Sequence, residues 1–313
     1  MMSRFSIALL LAIAILAAGG CAQTAQITYR RPAEIGSGTL RQVAVAELEG
    51  EGAADVRRAI ELQIADVENL TAVDHALLEP TIQQAGHIPG DPAEAERLLR
   101  IARHNGVDAL VVGEVVEYAS TPNASQDPSD AVTRARVSLA LRLIDVETGD
   151  ALDERQVTRS YDRRRRSDRL LSSARADVME RLTDECVAEF MKLLAPHEAT
   201  ASVELANGEL FRLSGLDIRR GVKRAARGDW DGAERIWRSV VAREPENHAA
   251  LFNLAVAAAS RHDYCAAEDY AMQALRSHHT DCYQAGLDQI RRFRSHEDRI
   301  DRNCDVPLTA HLD

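Results

Sequence analysis

Hydrophobic and polar positions change period several times along the chain, and each change predicts an element. Gln42-Val43-Ala44-Val45-Ala46 predicts a strand, a helix follows across 53–66, and Leu70-Thr71-Ala72-Val73 predicts a short second strand. Asp91-Pro92-Ala93-Glu94 is a helix start, with a carboxylate to cap orphan amides, proline at the first helical position and an acid that can reach back. That helix buries Leu98, Ile101 and Ala102, and Gly106 sits at its C-terminal cap. Leu110 to Val116 reads as a strand buried on both faces. A loop from Ser120 to Asp130 separates it from Val137 to Leu143, which alternate with period two. Glu147-Thr148-Gly149-Asp150 then turns tightly into another strand near 151–161. A long helix across 168–194 carries the stripe Leu171, Ala174, Val178, Leu182, Cys186 and Phe190 at spacings of three and four. The pattern is that of a mixed α/β sheet with helices packed on it.

Beyond residue 207 the period becomes helical throughout, with an internal repeat. Gly228-Asp229-Trp230-Asp231-Gly232-Ala233-Glu234 aligns with His262-Asp263-Tyr264-Cys265-Ala266-Ala267-Glu268 at an offset of 34. Pro245 falls at a turn, and Leu251, Leu254, Ala255 and Ala258 supply the next apolar face. This resembles a tetratricopeptide array, although Gly221 and Arg224 depart from the pattern in the first copy. The resemblance implies a concave groove for extended peptides, lined here by Arg219, Val222, Phe252, Asn253 and Val256. Packing of the apolar members within the array is the competing reading. Two repeats and one further helix across 282–294 are few, because arrays usually need about three units to bury a core. The array is therefore expected to dock on the first domain or to be capped by its own tail.

The N-terminus has the layout of an export signal: Arg4, an apolar run from Phe5 to Leu16, then small residues. The run is too short to span a membrane. Ala18-Gly19-Gly20-Cys21 resembles the lipobox of bacterial lipoproteins, with Ala18 where leucine is usual. The resemblance implies cleavage before Cys21 and acylation there, and Ala22 in the following position implies the outer membrane. Two or three acyl chains anchor a protein stably where one does not. The organisation expected is a signal peptide over 1–20, a flexible tether over 21–40, an α/β domain over 41–207, helical repeats over 208–297 and a tail over 298–313.

Lys and Arg total 38 against 49 Asp and Glu, a net charge of −11 that repels phosphate backbones and argues against nucleic-acid binding. Aromatics at 4% leave no stacking platform for bases. The chemistry is equally sparse. Glu114 and Glu117 are placed on opposite strand faces by their odd spacing. Asp145 and Glu147 lead into a turn, and no phosphate-cradling loop or nucleophile turn occurs. His278, His279 and Cys282 form a metal-like cluster whose fourth ligand would have to come from elsewhere, with Cys304 the candidate, and a polar turn is the plainer reading. Arg163 to Arg166 could meet anionic headgroups or an acidic partner, or lie in solvent. No catalytic residue, cofactor or metal is assigned. With Cys21 acylated, Cys186 reads as a buried thiol on its stripe. Cys304, in a tail returning from the last helix, is the better disulfide partner for Cys265.

The strand in Gln42 to Leu48, the helix ending before Val107, the phrase Leu141 to Leu152 around a β-hairpin and the closing helix resemble, over about residues 40–195, the CsgG/LpoB-type lipoprotein domain. That resemblance implies a non-enzymatic envelope protein. LpoB-type members activate cell-wall synthases, and CsgG-type members act in secretion. The expected function is a periplasmic adaptor for an envelope protein or peptide. The alternative is a subunit of a CsgG-like secretion complex, for which the chain supplies no membrane-crossing hairpins. A homo-oligomeric ring without a barrel stays open.

Overall fold

Residues 23–35, 40–46, 48–74, 92–122, 132–165, 167–168, 172, 174–208 and 213–304 are described by the computed structural model. The signal peptide, Cys21, Asp91, the loop over 123–131, Arg166, Leu171 and the last nine residues lie outside them. The chain divides into an α/β unit, Pro32–Pro196, and a helical unit that joins Arg31 and the residues before it to His197–Arg302.

Strand β1 (Gln23–Arg31) alternates, burying Ala25 and Ile27 and exposing Gln26 and Thr28. It occupies residues 23–31 of the segment expected as a tether over 21–40. Its partner arrives only after the whole α/β unit, as described below.

The α/β unit runs through β2 (Gln42–Val45), α1 (Ala53–Ala65), β3 (Thr71–Val73), α2 (Pro92–His104), β4 (Ala109–Pro122), β5 (Val132–Asp145), β6 (Ala151–Asp162) and α3 (Arg175–Met191). The sheet order is β3-β2-β4-β5-β6, with β2 parallel to both neighbours and β4 to β6 an antiparallel meander. Helices α1 and α3 cover one face, where Ile60, Ile64, Leu139, Leu141, Val178, Leu182 and Phe190 share a core. Ala102 of α2 packs with Leu110, Val107 and Val146 on the other face. The closing helix begins later than its apolar stripe suggested, yet Val178, Leu182, Cys186 and Phe190 are all buried. The Cys186 thiol faces the Val137 carbonyl at 3.7 Å, and burial pushes its pKa up to about 11, leaving an unreactive free thiol. At the hairpin, Asp145 Oδ1 accepts from the Thr148 amide at 2.9 Å and Gly149 takes φ 79°, so this acid braces a turn.

Glu114 lies opposite Ala140 and Glu117 opposite Ser138, because the register shifts between Val115 and Glu117. A bulge therefore brings the two acids to one face, against the odd-spacing argument, and leaves Val116 50% exposed. Glu117 is answered by Arg136 across the ladder at 3.6 Å, an ion pair in place of a carboxylate dyad.

Strand β7 (His197–Leu205) pairs antiparallel with β1 over all nine residues, Gln23 opposite Leu205 and Arg31 opposite His197. It belongs with the helices, so the α/β unit closes at Pro196 rather than at the expected 207. Five helices follow: α4 (Leu213–Ala225), α5 (Trp230–Arg243), α6 (His248–Ala259), α7 (Tyr264–Ser277) and α8 (Asp281–Cys304). The offset of 34 marks matching caps, with Asp229 accepting from Gly232 N at 3.0 Å and Asp263 from Ala266 N at 3.1 Å. Helix α6 is buried all round, from Ala249 through Ala259, and is the axis of this core.

At Gly221 the α4 backbone meets the indole of buried Trp237, whose Nε1 donates to the Ile218 carbonyl at 3.2 Å. A Cβ there would stand 2.3 Å from Nε1. Gly221→Ala should therefore cost about 1–3 kcal/mol despite its better helix propensity, read as a lower urea midpoint by tryptophan emission.

Helix α8 runs on to Cys304, where a returning tail was expected from 298. Ile290, Phe293 and Ile300 continue its buried stripe. Cys265 lies beside Arg294, and Cys304 is ten residues further on, about 15 Å by helical rise. The expected Cys265–Cys304 disulfide is not formed: Cys265 is a free, exposed thiol.

Candidate functional site

The helical unit closes its own groove. Val222, Phe252 and Val256 are buried in its core, and Asn253 is fully buried. Asn253 Oδ1 accepts from the Ala206 amide at 2.8 Å, and its Nδ2 donates to the Ala206 carbonyl at 2.9 Å. Arg219 reaches the Gly208 carbonyl at 3.4 Å. The side chains expected to receive a partner peptide hold the segment that follows β7. These bonds support the packing reading, because a buried asparagine must satisfy both ends of its amide.

The joint between β1 and α8 adds a titratable group. Tyr29 packs on Phe293 at 4.2 Å with the rings tilted by 31° and stacks on His296 at 5.9 Å, and Arg30 pairs with Glu297 at 3.1 Å. Burial depresses the His296 pKa from 6.5, helped by Arg299, Arg31 and Arg292, and its Nδ1 has no partner among the described residues. Below the free value the unfolded chain takes up a proton that the folded unit resists. Stability contributed by this site is thus lost as the pH falls below about 6.5. The thermal midpoint should fall between about pH 7 and 5, with His296→Phe flattening that fall.

The α/β unit carries an open cleft of about 580 Å³ between α1, α3 and the end of β4. From α1 come Asp55, Arg58, Ala59 and Leu62; from α3, Arg175, Met179, Glu180, Thr183 and Asp184; from β4, Tyr118. At one end Tyr118 donates to Asp55 at 3.1 Å, and Arg175 Nε donates to Ser120 at 3.0 Å. At the other, Gln63 Nε2 donates to the Asp184 carbonyl at 3.4 Å, so the helices run side by side in the same sense. Leu62 is 58% exposed. Burial raises the Tyr118 pKa, followed by the charge of Asp55. Burial also raises that of Asp184, with Glu180 one turn away on α3 adding to it. Thr183 is buried, and its hydroxyl lowers the Tyr118 pKa by hydrogen bonding, against the larger effects of burial and Asp55.

None of these cleft residues was singled out in the sequence. Thr183 and Met179 lie one position beyond the stripe residues Leu182 and Val178, a shift that turns them toward α1. Leu62 stands two positions from buried Ile60 and Ile64, and an apolar residue off the stripe was the available signal. The basic run lies apart from the cleft residues. Arg163, Arg164 and Arg165 are exposed, and Asp162 is taken up by the Arg164 amide at 2.9 Å. His278 packs on His248 at 4.6 Å with the rings tilted, and no group of three or more His, Cys, Asp or Glu able to hold a metal occurs among the described residues.

No family model matches the chain, and no curated protein matches it. Solved structures do. The PelC dodecamer from Paraburkholderia phytofirmans is 14% identical, with 55% of this chain and 98% of that chain covered and a TM-score of 0.33. Lipoprotein GNA1162 from Neisseria meningitidis is 17% identical over 39% of this chain and 81% of that one, with a TM-score of 0.29. The LpoB C-terminal domain from Escherichia coli is 18% identical over 40% and 85%, with a TM-score of 0.27.

Proposed function

We propose that the chain is a non-catalytic, lipid-anchored adaptor of the bacterial envelope, acylated at Cys21 and facing the periplasm from the outer membrane. The lipobox-like Ala18 to Cys21 supports the anchor, and β1 starts two residues after the acylated cysteine. The helical unit, tetratricopeptide-like in its repeat, then holds the strand nearest the anchor in the chain. The α/β unit, inserted in the chain between β1 and β7, displays the surface that meets a partner. The observation that carries this reading is the open α1–α3 cleft, while Asn253 in the helical unit is taken up by the protein's own segment after β7.

Mass spectrometry of the mature N-terminal peptide should find acyl chains on Cys21, and Cys21→Ser should leave the membrane fraction. A second test uses the ladder. Arg31 lies opposite His197, so a short Gly-Asn turn can join them and delete the α/β unit. Crosslinked pull-down of an envelope protein by the native chain and not by this deletion supports the adaptor. Retention by the deletion moves the contact to the helices. Recovery of copies of the chain alone replaces the adaptor with a homo-oligomer.

A further inference from the structure

We infer that the end of the helical unit at which α4, α6 and α8 begin rests on the lipid headgroups, with Leu216 set among them. The inference rests on the proposed anchor at Cys21 and names the surface that meets the bilayer. Helix α8 runs alongside β1 in the same sense. Gln289 Nε2 donates to the carbonyl of Ser202, the residue opposite Gln26, Phe293 packs on Tyr29, and Glu297 pairs with Arg30. The start of β1 is therefore level with the start of α8. His248 Nδ1 lies 2.8 Å from the Tyr283 hydroxyl, which brings the start of α6 to that level. Glu244 accepts from Ser214 at 3.0 Å and from Asn247 at 2.8 Å, which brings the start of α4 there too.

Cys21 stands two residues before Gln23, a reach of at most about 7 Å. The headgroup layer of one leaflet is about 5–8 Å deep. An acylated Cys21 thus leaves no slack, and this end is drawn onto the surface. What it presents suits that place. Leu216, in the first turn of α4, is 67% exposed, and no other large hydrophobic of the helical unit is exposed among the described residues. Arg276, His278 and His279 are exposed at the corner between α7 and α8 and offer N–H donors to phosphate oxygens. The exposed acids near them, Glu204, Glu246 and Asp281, do not outnumber these donors, although the whole chain carries −11. At its other end the ribbon closes with Arg31 opposite His197, about 26 Å away by strand rise. Both junctions to the inserted unit lie there, so a paired ribbon takes the place of a flexible spacer.

The test uses the acylated full chain in vesicles of phosphatidylethanolamine and phosphatidylglycerol, with ordinary or brominated acyl chains. Bromine quenches indole on close approach. Native emission comes from Trp230 and Trp237 in α5, and Trp230 begins that helix at the far end. The native protein should therefore emit alike in both vesicles. Leu216→Trp and His279→Trp should each add emission that brominated lipid largely removes. Arg227→Trp, on the exposed turn between α4 and α5 at the far end, should add emission that brominated lipid leaves intact. That control also separates a seated face from a tryptophan that inserts by itself. Flotation of the same samples divides the two readings. A chain that floats with Leu216→Trp and His279→Trp unquenched, or with Arg227→Trp quenched as strongly, overturns the membrane face and leaves the anchor standing. A chain that does not float overturns the anchor at Cys21, and the membrane face with it.

Discussion

Deleting residues 23–31 should abolish cooperative unfolding of the helical unit. The deletion removes one side of a nine-residue ladder, the buried side chains of Ala25 and Ile27, the Tyr29–Phe293 ring contact and the Arg30–Glu297 pair. Burying one isoleucine is worth about 1.5–3 kcal/mol. Each ladder hydrogen bond adds about 0.5–1.5 kcal/mol. Together these reach the size of a domain's whole stability, about 5–15 kcal/mol. Val203 and Leu205 of β7 would lose the strand that completes their ribbon. Both tryptophans, Trp230 and Trp237, lie in α5, so tryptophan emission during urea unfolding reports this unit alone. A broad, early transition is expected. A sharp transition at the native midpoint would return β1 to the status of a tether.

Local features of the fold were legible because their causes are local. Asp229 and Asp263 cap their helices three residues on, and the apolar stripe of α3 needs only its own period to show which side goes inward. The hairpin at Asp145 to Asp150 follows from two side chains and one glycine. What escaped has distant or two-residue causes. The alternation in Thr24-Ala25-Gln26-Ile27-Thr28-Tyr29 is that of a half-buried strand, but its partner begins only at His197, with an entire unit between. Polar composition with Pro32, Gly36 and Gly38 favours the reading as a tether. The bulge at Val115–Glu117 adds one residue to a period of two and reverses the faces of everything after it. The cleft was hidden for another reason. Leu62 and Thr183 are ordinary residues for a helix, and only the meeting of α1 with α3 shows one exposed and the other buried.

Replacing Asn253 with alanine should lower the stability of the helical unit by about 2–5 kcal/mol. Two buried groups lose their partners together, the Ala206 amide and the Ala206 carbonyl, and each orphan costs about 1–3 kcal/mol. Asn253→Leu should be no better, although it restores volume, because the defect is an unmet polar demand. Arg219→Ala should cost less than about 1 kcal/mol, since its contact to Gly208 is long and partly solvated. The urea midpoint by tryptophan emission, with the slope unchanged, ranks the three. This ranking decides between two uses of one asparagine. A groove that receives peptides has water to offer an empty Asn253, and the alanine variant would then stay within about 1 kcal/mol of the native protein. A large loss means the extended segment at Ala206 is a permanent part of the core. In that case the concave face has no vacancy, and partner recognition passes to the α/β unit.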